Sequence, residues 1–242
     1  MNTEDTLNIL VVGNGAMGKV VFSELTEAGH TGVVSRDMSD IKENNFDIII
    51  DFSHIDNISK IEKFATENNI PVVIATTGFS DVQLDLIDSM SKKIPVLYSA
   101  NYSLGVILMN KIVKQVTQVL SDSFDIEVIE KHHKHKLDSP SGTAKMLVSS
   151  IESALPEKYE HKYGREGFSR RKQKEIGIHS IRGGSFAGEH EIIFAGEDEV
   201  FSIKHEANSK KIFAQGAIFG AKWLVKQPKG RYNMENVLGN IN

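Results

Sequence analysis

Short apolar runs alternate with amphipathic stretches through the first hundred residues. The segments LNILVVG, TGVVS, FDIIIDFS, IPVVIATTG and IPVLYSA are rich in Val and Ile and end in turn residues, the pattern of strands buried on both faces of a parallel sheet. Helical spacing fills gaps between them. In HIDNISKIEKFATENN the apolar positions are Ile55, Ile58, Ile61, Phe64 and Ala65; in SDVQLDLIDSM they are Val82, Leu86 and Met90, with Leu84 and Ile87 beside them. Strand, helix and strand in alternation predict a doubly wound α/β sheet.

The pattern changes after about residue 104. A long helix, SLGVILMNKIVKQVTQVLS, leads into FDIEVIE, and EIGIHSIR, HEIIFAG and EVFSIKHEA follow with little helix between them. These runs predict a second, mixed or antiparallel sheet. The segment KIFAQGAIFGAKWLVKQ returns to helix, with Phe213, Ala217, Gly220, Ala221 and Leu224 on one stripe. The polar, basic stretch EKYEHKYGREGFSRRKQKE has almost no apolar periodicity and reads as a long loop, either a lid or a mobile connection. The expected organisation is one domain from residues 1–103 and 213–242 and an inserted α+β domain from residues 104–212, with hinges near Ser103 and Phe213.

Composition narrows the function classes. The 242 residues, 40% of them apolar, suffice for a real core. A net charge of -4 and a pI near 6.1 argue against a coat for nucleic acid or anionic membrane, so any anion site is local. With no cysteine there is no disulfide, thiol nucleophile or cysteine-ligated metal. The start MNTEDTLNILVVG lacks a basic flank and a long apolar run, and no later run approaches bilayer length, which makes the cytoplasm the expected address.

GNGAMG, comprising Gly13, Asn14, Gly15, Ala16, Met17 and Gly18, follows one predicted strand and opens a predicted helix. That context marks the dinucleotide fingerprint of a Rossmann-type sheet: Gly13 for the tight turn, Gly15 for close approach of a pyrophosphate, Gly18 for helix against strand. Helix-start amides and the positive end of the dipole would hold the phosphates. A bare GxGxxG is a weak signal, and a ligand-free glycine turn is the competing interpretation; the flanking elements favour a cofactor. At the end of the second strand, TGVVSRD places Ser35 and Arg36 where an NAD-type site commonly has an acid, which favours NADPH over NADH, unless Arg36 is only a solvated strand-end charge.

EKHHKHKLDSPSGTA packs three histidines and three lysines beside a Ser, Pro and Gly turn. Read as a continuing strand, it places His132, Lys134 and Lys136 on one side and His133, His135 and Leu137 on the other. The helix that follows has Ala144, Leu147, Val148, Ile151 and Leu155 on one stripe, so Ser141, Gly142 and Thr143 lie at its start, where amides and short hydroxyls take a carboxylate or phosphate. Asp138 and Pro140 can fold the chain so that Lys136 completes the pocket. A metal site lacks ligand spacing and would be opposed by the lysines. A solvated basic loop stays open on composition alone, while an acid-and-anion site accounts for histidines, lysines and turn together.

With ATTGF, SANYSLGV, IHSIRGG, GEHEIIFAG and FAQGA followed by AKWL, these motifs resemble the 4-hydroxy-tetrahydrodipicolinate reductase (dihydrodipicolinate reductase) family, in order along almost the whole chain. The resemblance implies an enzyme of lysine and diaminopimelate biosynthesis that uses NADPH or NADH to reduce a cyclic imine dicarboxylate, with loss of water, and that assembles as a homotetramer through the second domain's sheet. It assigns His132 as general acid and base and Lys136 as second proton donor. It assigns His133, Ser141, Gly142 and Thr143 to substrate, and Ala75, Thr76, Thr77, Ser99, Ala100, Asn101 and Tyr102 to the nicotinamide side of the cofactor. Departures are Ala75 for a frequent Gly, Ser139 for Ala, Tyr102 for Phe, Lys210 for Arg, and the missing acid on the second strand. The rival readings are another dinucleotide-dependent dehydrogenase, which would not need HHKHKLDSPSGT, and a nonenzymatic nicotinamide sensor.

Overall fold

The computed structural model describes residues 6–239. The chain divides into two units, one formed by the segment up to Leu104 with the segment from Lys210 onward, the other by Gly105–Ser209.

In the first unit, β1 (Asn8–Val12), β2 (Thr31–Ser35), β3 (Ile48–Asp51), β4 (Val72–Ile74), β5 (Pro95–Tyr98) and β11 (Gly230–Tyr232) form a parallel sheet in the order β11-β5-β4-β3-β1-β2. Ile9 to Val12 and Ile48 to Ile50 are fully buried, because helices cover both faces of a doubly wound sheet. Those helices are α1 (Ala16–Glu27), α2 (Ile58–Asn68), α3 (Asp81–Ser91) and α6 (Lys211–Leu224). The sheet order reverses direction at β1, so the crevice at the carboxyl ends of β1 and β3 is where such sheets bind ligands.

Helix faces follow the apolar spacing with one correction. Ile58, Ile61 and Ala65 of α2 are buried, but Val82 of α3 is 77% exposed and the buried face is Ile87 and Met90. Val82 lies roughly 140° around the helix from Ile87 at 3.6 residues per turn, off the face that meets the sheet. On α6, Ala214, Gly216, Ala217 and Ile218 extend the buried stripe toward its start. A Cβ on Gly216 would stand 1.6 Å from the carbonyl oxygen of Tyr102, so a residue without a side chain lets the helix close on that backbone. The short β11 and α7 (Met234–Leu238) lack an apolar run long enough to announce them.

In the second unit, α4 (Leu104–Leu120) leads into β6 (Asp125–His132), α5 (Gly142–Glu152), β7 (Glu160–Tyr163), β8 (Glu175–Arg182), β9 (Gly188–Ala195) and β10 (Val200–Ala207). The mixed sheet runs β10-β9-β6-β8-β7, with β6, β8 and β7 parallel and β9 antiparallel to both β6 and β10. Ile126, Val128, Ile176, Ile178, Ile192 and Phe194 form one core cluster with Met109 and Val113 of α4 and Leu147 and Ile151 of α5.

Two expectations are corrected here. The strand ends at His132, so the two-sided alternation does not extend through Leu137. The ladder closes there because Gly183 N donates to His132 O (3.1 Å), His133 N to Phe186 O (2.9 Å), and Lys136 N turns back to His133 O (3.1 Å). The basic stretch expected as one long loop contains β7, and two of its three arginines are tied down: Arg171 Nη1 bonds Asp125 at 2.7 Å and Arg165 Nη2 bonds Glu127 at 3.0 Å.

Candidate functional site

In the first unit the glycine loop has the shape a dinucleotide needs. Gly13 sits at φ 106°, donates to Ser35 O at 2.7 Å, and leaves 2.3 Å between a hypothetical Cβ and Phe52 O. A Cβ on Gly18 would stand 1.7 Å from Gly13 O, so α1 rests directly on the turn. Gly15 is the N-cap of α1 with open space around it, and Asn14, Gly15 and Ala16 are exposed. Helix-start amides facing open space beside glycines that admit no side chain fit a pyrophosphate.

Beside the loop lies a cleft of about 370 Å³ lined by Met17, Phe52, Ser53, His54, Ile55, Ala75, Thr76, Thr77 and Gly78. It unites Met17, Ala75, Thr76 and Thr77 from the sequence reading and adds the turn after β3. Asp51 fixes that turn. It is 1% exposed, its Oδ1 accepts from Ser53 N at 3.0 Å, and Ser53 N also reaches Thr76 Oγ1 at 3.1 Å. Burial pushes the Asp51 carboxyl up, against hydrogen bonds from Ser53 and Thr76 that pull it down.

Other residues expected at the cofactor stand differently. Ser35 is fully buried, its hydroxyl bonded to Asp40 and accepting from Met38 N at 3.0 Å, so its side chain shapes the loop after β2. Arg36 is exposed at the end of β2. Ser99 Oγ donates to Asn101 O (2.9 Å) and Asn101 Oδ1 accepts from Ser103 N (2.8 Å), which orders the loop after β5 while Ala100 is exposed. Tyr102 is 3% exposed, and its hydroxyl bridges Ile74 O (2.8 Å) and Leu97 O (3.0 Å). Its side chain braces β4 against β5, and it lines no part of the cleft.

In the second unit the residues converge on Glu130, which period-two reading leaves as one more polar strand position. Glu130 is 0% exposed. Arg182 meets it with two nitrogens at 2.7 Å each, His132 Nδ1 lies 2.6 Å from Oε2, and Ser141 N donates to Oε1 at 3.1 Å. Register explains the convergence: β6 and β8 pair Glu130 with Ser180 and His132 with Arg182, and β9 sets His190 opposite Glu130. His190 stacks edge-on to His132 at 5.3 Å, with Nε2 3.0 Å from Ser141 Oγ. Ser141 caps α5, its Oγ accepting from Ala144 N at 3.1 Å. Gly142 is exposed and Thr143 half-buried at the same helix start.

Lys136 Nζ lies 2.7 Å from Asp138 Oδ1, and Arg182 Nη2 donates to Asp138 O at 2.6 Å, which ties the lysine's turn to the Glu130 cluster. The rings of His133 and His135 lie 6.3 Å apart, tilted at 43°. Missed by sequence reasoning were Glu130, Arg182 and His190; EKHHKHK, IHSIRGG and GEHEI carried them in turn, without any sign of whom they meet.

The electrostatics follow from burial. Burial alone would raise the Glu130 carboxyl, but hydrogen bonds from Arg182, His132, Ser180 and the Ser141 amide hold it at about 2. Burial lowers His132 below its ordinary range; Glu130 opposes this, and Lys136 and Arg182 reinforce it. Burial, then the neighbouring His132, lowers His190 to about 4, so it stays neutral where enzymes usually work. A carboxyl depressed from 4.5 to about 2 adds stability that is complete above pH 4.5 and lost as pH falls through 2. Urea titrations should show roughly 3 kcal/mol lost over that window, with the loss much reduced in Glu130→Gln; equal acid sensitivity in both proteins would contradict it.

A family model described as dihydrodipicolinate reductase, C-terminus, matches residues 105–238, and one described as dihydrodipicolinate reductase, N-terminus, matches residues 22–102. The chain belongs to the dihydrodipicolinate reductase family. Proteins named 4-hydroxy-tetrahydrodipicolinate reductase from Clostridium tetani and Caldanaerobacter subterraneus subsp. tengcongensis are 40% and 44% identical to it over 247 and 240 residues. The alignments span 96% and 93% of this chain and 97% and 95% of theirs. Among solved structures, a dipicolinate-bound dihydrodipicolinate reductase from Paenisporosarcina sp. TG-14 shares the fold at TM-score 0.75 and 23% identity, over 94% of this chain and 97% of that one. A probable dehydrogenase from Thermotoga maritima matches at TM-score 0.58 and 10% identity, over 96% and 92% of the two chains. The architecture is thus shared beyond the dihydrodipicolinate reductase family, and the family match rests on sequence. The N-terminal match begins after the glycine loop, so the loop stands on its own geometry.

Proposed function

We propose that the Glu130 cluster is where this chain, a nicotinamide-dependent oxidoreductase of lysine and diaminopimelate biosynthesis, reduces 4-hydroxy-tetrahydrodipicolinate to tetrahydrodipicolinate with loss of water. The observation that carries this reading is His132 held through Nδ1 at 2.6 Å from a buried carboxylate, on the strand that leads into the Ser141 helix start. A nonenzymatic sensor would need the glycine loop and no such cluster.

The nicotinamide, when bound, supplies a hydride. His132 supplies the proton that must reach the neighbouring ring carbon, delivering it from Nε2 while Glu130 keeps Nδ1 occupied. The helix-start backbone at Gly142 and Thr143 receives one ring carboxylate, with His133 beside it. Lys136 binds a carboxylate and acts as second donor; support comes from the carboxylate of Asp138 already lying 2.7 Å from its ammonium, the position a substrate carboxylate would take. The glycine loop holds the pyrophosphate and the cleft of Met17, Ala75, Thr76 and Thr77 holds the nicotinamide side; the loop of Ser99, Ala100 and Asn101, outside that cleft, offers backbone to the same ring, and Tyr102 braces the strands behind it. Exposed Arg36 receives the extra phosphate, which makes NADPH the preferred cofactor over NADH, and the second unit's sheet joins copies into a homotetramer.

Lys136→Ala should lower kcat and also raise KM by about 10- to 100-fold, since a hydrogen bond between charged groups is lost; wild-type kinetics would remove Lys136 from the site. Arg36→Ala should raise KM for NADPH by about 10-fold or more, as a charge-assisted phosphate contact disappears, and leave NADH nearly unchanged. Equal losses would refute the contact. The reading as a whole is tested by following NADPH and NADH oxidation with substrate made in situ from pyruvate and aspartate semialdehyde by the preceding synthase. Oxidation should depend on the synthase; nucleotide binding without oxidation would move the sensor reading to the front.

A further inference from the structure

Glu130 makes more contacts than pairing with a half-buried arginine requires. Arg182 balances its charge through both oxygens, and beyond that pair Oε2 meets the His132 ring, Oε1 accepts from the Ser141 amide, and Ser180 adds a further side-chain hydrogen bond. One side chain therefore touches the proton-transferring residue on β6 and the turn that opens α5.

An ionised carboxylate only accepts hydrogen bonds, so the imidazole nitrogen facing it carries the proton and the other nitrogen is left for exchange. That nitrogen, Nε2, lies beside Gly188, where a Cβ would stand 3.2 Å from it. The remaining charged and titratable neighbours do not compete for Nδ1. Arg182 on β8 is committed to Glu130, Lys136 is paired with Asp138, and His190 on β9 directs its Nε2 to Ser141 Oγ.

We propose that Glu130 is a positioning residue, which fixes His132 in the Nδ1–H tautomer and at the same time pins the Ser141 turn that receives the substrate carboxylate. This rests on His132 being the proton-transfer residue. The arginine pair keeps the carboxylate in place, and the turn and the imidazole move together if it is lost.

The test combines nitrogen-resolved NMR of His132 with steady-state kinetics of the full chain, in wild type, Glu130→Gln, Glu130→Asp and His132→Gln. NADPH affinity reports on folding. In wild type His132 should show the Nδ1–H tautomer. Glu130→Gln should mix the tautomers and lower kcat by about 10²-fold, the lower end of what acid–base catalysis supplies, with a smaller change in KM. Glu130→Asp keeps the charge for Arg182 but falls one methylene short of His132; it should fold, and should show the same tautomer mixing with an intermediate kcat. An Nε2–H tautomer in wild type overturns the proposal. So does wild-type kcat in Glu130→Gln, or in Glu130→Asp should the amide variant not fold, when His132→Gln is impaired. If His132→Gln itself turns over normally, the proton-transfer reading fails and takes the proposal with it.

Discussion

Replacing His132 with glutamine should lower kcat by about 10²- to 10⁴-fold, the range general acid–base catalysis contributes, while KM changes only a few-fold. Glutamine can still hydrogen-bond near Glu130 and fill the space, but it cannot exchange a proton, and a proton donor acts mainly in the transition state. The pH profile adds a second reading. His132 is lowered below its ordinary range in the free protein, first by burial and also by Lys136 and Arg182, against the pull of Glu130. If the protonated ring is the donor, kcat/KM falls as pH rises, with its break below 6.5. A dianionic substrate beside the ring favours the imidazolium, so the break in kcat lies higher. Unchanged turnover in His132→Gln, or a kcat/KM that rises through this range, would remove His132 from the role.

Two glycine substitutions should separate folding from cofactor binding. In Gly18→Ala the new methyl would lie 1.7 Å from Gly13 O, a backbone atom with no rotamer to escape through. The turn and α1 must move apart, and the expected cost is about 1–3 kcal/mol of stability, as for overpacking in a well-filled interior. A displaced turn should weaken NADPH binding by about 10²-fold, the penalty typical of an ångström-scale misplacement. Gly15→Ala meets nothing within 4 Å and has an ordinary φ of -71°, so the protein should fold with wild-type stability. Its methyl nevertheless enters the space kept for the pyrophosphate, and NADPH affinity should fall while stability does not. Thermal unfolding and nucleotide titration of both variants check this; a Gly15→Ala protein that binds NADPH normally would place the phosphates elsewhere.

How much of this was legible in the sequence depends on how local the determinant is. Five of the six parallel strands and the helices between them follow from apolar runs and helical spacing, because each element carries its own burial pattern. Ser141 as a helix cap and the glycines of the loop are likewise local signals. Glu130 is different. In FDIEVIE it falls on the face of Ile126 and Val128, opposite Glu127, which binds His179 at 2.8 Å, and the alternation does not say what a carboxylate on that face meets. What makes Glu130 a hub is β8 and β9, 52 and 60 residues away along the chain, and their register is invisible to periodicity. At Ser35, too, a contact outside the local pattern enters. Its position after β2 suits a phosphate contact, yet the turn toward Asp40 captures its hydroxyl.

The most direct test of the central claim is to follow the label from NADPH deuterated at the transferable position into product formed with synthase-made substrate. The account predicts one deuterium per tetrahydrodipicolinate, formed at a rate that matches nucleotide oxidation and that falls with it in His132→Gln. Nucleotide bound but not oxidised, or oxidised with no deuterium in the ring, would contradict the assignment of this chain as the reductase.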